Sequence, residues 1–192
     1  MSRIVAICPD CGKDDDWLEM LEDGAFNCRC GKQVSPDSTD FAMVATKKAP
    51  EGMLYFAYGS NLSLDQMEQR LPNARPLCKA TLRFWRLTYK ANFKGNGVAT
   101  IEKNSERRGA VYGALYVLSA GDLATMDRYE GTPRVYQRRL VTVESKFGRV
   151  KAITYVMNDY FKPHSPNPTY VGKIQQGFWD WGLPIGKLAV TP

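Results

Sequence analysis

The sequence holds a single histidine, His164, in the run "KPHSPNP". No Ser-His-Asp or Cys-His relay can be assembled around it, and a lone imidazole among prolines reads as a surface residue. Glycine-rich phosphate loops and dinucleotide fingerprints are missing as well. No run of eighteen apolar residues occurs, so no membrane span is expected. The opening "MSRIVAICPDCGKDDDW" has no long apolar core and turns acidic at once, which does not read as a signal peptide. The expected location is cytoplasmic. Internal repeats and extended low-complexity tracts are absent too.

What remains is the composition of a folded chain. Of 192 residues, 44% are hydrophobic and 11% aromatic, enough for one medium domain and a small appendage. Charge is divided unevenly. Residues 1–50 carry 6 Lys/Arg against 9 Asp/Glu, a net of −3, whereas residues 51–192 carry 20 against 11, a net of +9. A basic balance raises nucleic acid as a partner. The cations are scattered, however, with "ERR" and "QRR" the densest spots, and a mixed solvated surface is the preferred reading.

Four of five cysteines crowd the first thirty residues: Cys8, Cys11, Cys28 and Cys30, with Cys78 alone. An odd count without a secretion signal argues against a disulfide framework. "CPDCG" and "NCRCGK" resemble two metal-binding knuckles. Four thiolates suit a closed, structural zinc site. The gap fits a zinc ribbon, although the second knuckle is one residue shorter than usual. Redox thiols are the alternative, but no βαβ pattern surrounds the Cys-x-x-Cys. A segment this small buries little core, and a metal would supply what burial cannot. "RIVAI" and "GAFNC" are its candidate strands. The expected organisation is a zinc-ribbon-like segment at 1–34, a linker at 35–52 and a second domain at 53–192.

The second domain opens with the strand candidate "MLYFAY". "SLDQMEQRL" follows as a helix, with Ser63 as N-cap, Gln66 completing a capping box, and Leu64, Met67 and Leu71 on one face. Strand-like runs come next: "KATLRFWRLTY", "GVATIE", "AVYGALYVL", "RRLVTVES" and "VKAITYVM". "SAGDLATMDRYEG" reads as a short helix capped by Ser119, with Leu123 and Met126 inward and Gly131 at its end. "TYVGKIQQGFWDWGLP" reads as a last helix stopped by Gly-Leu-Pro. Several strands, few helices and no regular alternation predict an α+β fold with a barrel-like sheet.

Two stretches carry candidate chemistry. Gly59, Ser60 and Asn61 stand between a strand and a helix N-terminus, where unpaired N–H groups make an anion site sized for a carboxylate. An ordinary strand-to-helix turn is the alternative. Glu130 lies at a helix C-terminus, the unfavourable end of the dipole, which should raise its pKa in the direction useful to a general acid/base. A solvated residue at a frayed end is the alternative. Asp127, one turn earlier, is a further source of like-charge repulsion, or else a surface residue.

"YFAYGSNL" and "LATMDRYEGTPRVY" together resemble the γ-glutamylcyclotransferase family. "GVATIE", "VYGALYVL", "YVMNDY", "SPNPTY" and "GLP" follow in the family's order over about residues 53–185, and Tyr-Gly-Ser-Asn resembles the glutathione-pathway branch. The N-terminal cysteine segment lies outside the family pattern. The resemblance implies a mixed β-barrel with flanking helices, acting on a small γ-glutamyl substrate. Its α-amine attacks its own γ-carbonyl and releases 5-oxoproline, with no cofactor for catalysis. By motif position Glu130 is the proton shuttle. Tyr55, Tyr58, Gly59, Ser60 and Asn61 hold the γ-glutamyl group, and Tyr136 and Tyr170 line the pocket. Two other classes stay open: a binding module without turnover, and an adaptor using the zinc ribbon to contact a macromolecule. The net of −3 in that segment argues against direct nucleic-acid contact. The leaving amine and the oligomeric state are left open.

Overall fold

The computed structural model describes residues 52–106 and 108–188 and, within the first 51 residues, five short strands. The chain divides into two units, Met1–Ala49 and Pro50–Pro192. In the first, β1 (Ile4–Val5) pairs antiparallel with β5 (Val44–Ala45). β2 (Leu18–Met20), β3 (Phe26–Cys28) and β4 (Gln33–Val34) form a three-stranded antiparallel sheet. β1 and β3 fall within the two runs read as strands. β5 lies inside the segment read as linker, a two-residue strand too short to leave a periodic signal. The zinc expectation falls largely outside the described residues: Cys8, Cys11 and Cys30 are not described, and Cys28 is known by its backbone place in β3.

In the second unit, β6 (Met53–Ala57) is the strand from which the site hangs. Leu54, Tyr55, Phe56 and Ala57 are all buried, the uninterrupted burial of a strand covered on both faces. It leads through a 3-10 turn at Ser60–Leu62 into α1 (Leu64–Arg70). The expected strand "KATLRFWRLTY" is two strands, β7 (Arg75–Arg83) and β8 (Trp85–Ala91). Phe84 between them has φ +66°. Its N–H donates to Gly109 O at 3.0 Å and its carbonyl accepts from Asn104 N at 2.8 Å, so the chain turns out of one sheet into another.

β8 pairs with β9 (Gly97–Lys103) as a separate two-stranded sheet. β10 (Ala110–Leu118), α2 (Ala120–Glu130), β11 (Tyr136–Ser145), β12 (Gly148–Met157) and α3 (Pro168–Asp180) complete the order. The strands close a barrel in the order β10-β6-β12-β11-β7. All its pairings are antiparallel except β6 with β12, which meet in parallel at Tyr55 and Ile153. Thr154 Oγ1 reinforces that seam by donating to Phe56 O at 2.9 Å across 98 residues of sequence. The expected α+β barrel is therefore present. Among the described residues no helix is long and apolar enough to cross a membrane.

Helix ends follow local chemistry. Ser119 and Asp122 form a full capping box on α2, and Gly131 ends it at φ +63°. At α1 the box is half made: Ser63 Oγ accepts from Gln66 N, but the Gln66 side chain turns away to Ser60 and Asn61. Leu64, expected on the apolar face with Met67 and Leu71, is 37% exposed, because it is the first helical residue and its N–H reaches out to Asp180. Asn167 caps α3 by accepting from Tyr170 N at 2.8 Å, and Pro168 occupies the first turn.

α3 lies directly on the turn that carries Ser60 and Asn61. A Cβ at Gly177 would sit 2.2 Å from Leu62 Cβ and 2.7 Å from Ser63 N, whereas one at Gly172 would meet nothing within 4 Å. Two glycines on one helix thus have opposite expectations. Gly177→Ala should destabilise the fold by about 1–3 kcal/mol through overpacking. Gly172→Ala should stabilise it by about 0.5–1 kcal/mol, because glycine is a poor interior helix residue. Chemical denaturation of both variants checks the contrast, and equal effects would contradict it.

Candidate active site

The end of β6 and the end of α2 meet at one cavity of about 470 Å³. Tyr55, Tyr58, Gly59, Ser60, Asn61, Glu130, Tyr136 and Tyr170, all singled out from the sequence, line it. The two motifs touch through Asn61. Its Nδ2 donates to Glu130 Oε1 at 2.9 Å and to Tyr55 Oη at 2.9 Å, with Met126 Sδ at 3.5 Å. Its Oδ1 accepts from Arg70 Nη1 at 2.7 Å and Gln66 Nε2 at 3.0 Å. Asn61 is itself buried. Both ends of the amide are therefore used, and its orientation is determined by donors on one side and acceptors on the other.

Gly59 serves by lacking a side chain: a Cβ there would lie 3.2 Å from Ala99 Cβ and 3.6 Å from the Tyr170 hydroxyl. Leu62 N closes on Gly59 O at 2.9 Å and Ser63 N on Ser60 O at 3.1 Å. The N–H groups of Ser60 and Asn61 precede the first closed turn, the place where a helix leaves donors free. The anion-site residues are thus part of a 3-10 turn, and α1 begins only at Leu64.

The tyrosines divide by what their hydroxyls do. Tyr58 donates to Tyr155 O at 2.6 Å and Tyr136 to Ala99 O at 2.7 Å, so both are committed to backbone carbonyls. Tyr170 accepts from Ala99 N at 3.0 Å. Tyr55 accepts from Asn61 and keeps its own proton. Burial pushes all four phenols above their ordinary value, so they remain neutral donors and acceptors.

Burial also raises the Glu130 carboxyl, while the Arg70 charge and the Asn61 hydrogen bond pull it back. The expected direction holds, but desolvation leads it, in place of the helix-end dipole and the like charge from which it was expected. Asp127 plays no part in that shift. It pairs with Arg138, accepts from Tyr155 Oη at 2.7 Å, and is held below the usual carboxylate range by Arg138. His164 is exposed and outside the cavity.

Sequence reading missed Arg70 and Gln66. They sit four residues apart on one face of α1, a spacing that puts both side chains on the same neighbour. Arg70 also lies 4.9 Å from the Tyr129 ring centroid, which steadies the guanidinium. The turn between β8 and β9 was missed too: Asn92, Phe93 and Lys94 reach the cavity wall. No cluster of metal-ligating side chains occurs among the described residues.

Residues 55–180 match the family described as gamma-glutamyl cyclotransferase, AIG2-like, which is more than half of the chain. A Mus musculus protein named gamma-glutamylcyclotransferase is 31% identical over 143 residues, covering 70% of this chain and 74% of its own. A Homo sapiens protein of the same name is 30% identical over 146 residues, with the same coverage. A solved structure described as gamma-glutamyl cyclotransferase superposes with a TM-score of 0.64 at 28% identity, over 71% of this chain and 83% of that one. Both motifs and all of the barrel but the first two residues of β6 fall inside the matched span, and this chain belongs to the gamma-glutamyl cyclotransferase, AIG2-like family.

Proposed function

We propose that the protein releases 5-oxoproline and a free amine from γ-glutamyl compounds. The observation that carries this reading is the 2.9 Å contact of Asn61 Nδ2 with Glu130 Oε1, which joins the two motifs at one cavity. In this reading the substrate's γ-glutamyl group lies on the Tyr58–Asn61 segment. Its α-carboxylate takes the N–H groups of the turn and the Arg70 charge. Bending the substrate brings its α-amine against its γ-carbonyl.

The α-amine arrives largely as ammonium. Glu130 takes one proton from it, and the freed nitrogen forms a bond to the γ-carbon. The resulting oxyanion is met by donors of the turn and by the Tyr55 hydroxyl. Collapse breaks the bond to the leaving nitrogen, which receives that proton from Glu130, and the ring nitrogen gives up one of its two remaining hydrogens as a proton by way of the same carboxylate, so that the lactam keeps one N–H and the amine departs as ammonium. One carboxyl group thus serves both halves, and no enzyme nucleophile is required. Burial that raises the Glu130 carboxyl, against the pull of Arg70 and Asn61, is in the direction that task needs. Arg70 and Gln66 act as positioning residues by holding the Asn61 amide so that its NH2 faces Glu130.

For the first unit we propose a zinc-ribbon-like segment at 1–34, followed by a connecting stretch at 35–52 from which β5 pairs back onto β1. Cys8, Cys11, Cys28 and Cys30 would hold a structural zinc, and their thiolate donor set is that of a closed site. The ion would supply stability only, and no step above passes through it. Thiols kept as ligands suit a reducing, cytoplasmic setting.

Glu130→Gln keeps an acceptor for Asn61 but cannot shuttle a proton. Its 5-oxoproline release should fall by about 10²- to 10⁴-fold, and undiminished turnover by a folded protein would sink the assignment. Stability carries an independent sign. Burial raises the folded-state pKa, so the folded protein holds this proton more tightly than the unfolded chain. The carboxylate therefore costs stability at neutral pH, and the cost disappears as pH falls through the folded pKa. Melting curves should show Glu130→Gln at least as stable as wild type at pH 7, with the difference narrowing on acidification.

Asn61→Asp tests the bridge itself. It places a carboxylate beside Glu130 and so should move the acid limb of the kcat/KM profile to higher pH. An unmoved limb would show that the two side chains are not coupled. Metal analysis of protein purified without chelators should find about one zinc per chain, and less than about a tenth of an equivalent would exclude the ribbon site.

A further inference from the structure

We propose that Tyr155 is a positioning residue for this reaction: its hydroxyl, anchored on the Asp127–Arg138 pair, holds the ring that aims Tyr55 at the developing oxyanion. The inference rests on the function proposed above. It adds a line of side chains from β11 through α2 and β12 to β6 that sets the oxyanion donor.

Tyr155 lines the cavity and is buried. In β12 it stands directly opposite Arg138 of β11. Its hydroxyl is already spent, donating to Asp127 Oδ1 at 2.7 Å. The Arg138 guanidinium takes both oxygens of the same carboxylate, with Nε 2.7 Å from Oδ1. A forked guanidinium fixes the plane of the carboxylate, and the carboxylate then fixes the hydroxyl. Burial first, and then the Asp127 acceptor, push the phenol above its ordinary value. The proton therefore stays on Tyr155 and the bond keeps its direction.

Beyond its hydroxyl, Tyr155 touches both tyrosines of the first motif. Its ring meets Tyr55 edge-on at 5.9 Å between centroids, and its carbonyl accepts from Tyr58 Oη at 2.6 Å. The strand is held on either side of it: Thr154 Oγ1 donates to Phe56 O and Met157 N donates to Thr100 Oγ1, both at 2.9 Å. The backbone of β6 fixes where Tyr55 begins, but its hydroxyl moves with the ring. Asn61 fills one lone pair of that hydroxyl, and the tilt of the ring decides where the proton points. A displacement of about 1 Å in an aligned reacting group costs on the order of 10²-fold in rate. Asp127 lies one helical turn before Glu130, so the last turns of α2 carry both the proton shuttle and the anchor of the oxyanion donor.

The test is steady-state 5-oxoproline release by the full chain. The substrate is whichever of γ-glutamylglycine, γ-glutamylalanine and γ-glutamyl-1,4-diaminobutane the wild type turns over fastest. Tyr155→Phe should lower kcat by about tenfold and leave KM within about twofold. Asp127→Ala keeps the Tyr155 hydroxyl but removes its anchor, and should do the same. Asp127→Asn still offers Tyr155 an oxygen and should lose less than about threefold. Tyr155→Phe combined with Asp127→Ala should be within about twofold of either alone. In a Tyr55→Phe background the oxyanion donor is gone, and adding Tyr155→Phe should cost less than about twofold, whereas mere loosening of the fold would multiply the two losses. Each variant is assayed at a temperature where its circular-dichroism melting curve shows it folded. A change confined to KM, full activity in Asp127→Ala, or multiplied losses over Tyr55→Phe overturns the positioning role and leaves the function standing. Release of 5-oxoproline from none of the three compounds overturns both.

Discussion

The Asn61 carboxamide is the hinge on which the site depends. It is buried, and a buried amide left unsatisfied costs about 1–3 kcal/mol. That cost is avoided only if α1 supplies Arg70 and Gln66 on one side while β6 and α2 supply Tyr55 and Glu130 on the other. Three elements are thereby brought to a common point by a single side chain. The same arrangement tunes Glu130. Desolvation favours its protonated form, and Arg70 and Asn61 restrain the shift.

Much of the fold was legible because it rests on local rules. Ser119 and Gly131 bracket α2 as capping chemistry dictates, and the strand runs after Gly97 are strands. What escaped notice depends on distant partners. Phe84 splits a run that is continuous in apolar pattern, because Gly109 and Asn104 take its backbone groups. Gln66 looked like half of a capping box, and a better pair of acceptors in the preceding turn claims its side chain. Leu64 fits a helical face by spacing alone, but the first position of α1 faces outward.

The site shows the same division. Glu130 and the Gly59–Asn61 segment were readable as a resemblance in two separate motifs, while composition alone favoured an ordinary turn and a frayed helix end. Arg70 carries no motif; its part is set by where α1 lands on Asn61. Asp127 was a fair candidate for influencing Glu130 at helical spacing. Arg138 from β11, invisible to a one-dimensional pattern, neutralises it instead. The separation of β8 and β9 from the barrel has a further effect. β9 lines the cavity with Val98 and Ala99 without joining the barrel, and the hairpin turn adds Asn92, Phe93 and Lys94, so the length and side chains of the turn can vary while the barrel register and the proton shuttle stay as they are.

The parallel seam between β6 and β12 bears on how the molecule comes into being. Every other barrel pairing is antiparallel, but this one joins the first barrel strand to the last. A ribosome must deliver nearly the whole domain before Tyr55 finds Ile153 and Phe56 O finds Thr154. Closing so long a loop precedes any reward from the contact, which makes closure a late and slow event. The Tyr58–Asn61 segment at the end of β6 therefore waits for the final strand, and a half-made chain has no assembled cavity with which to act.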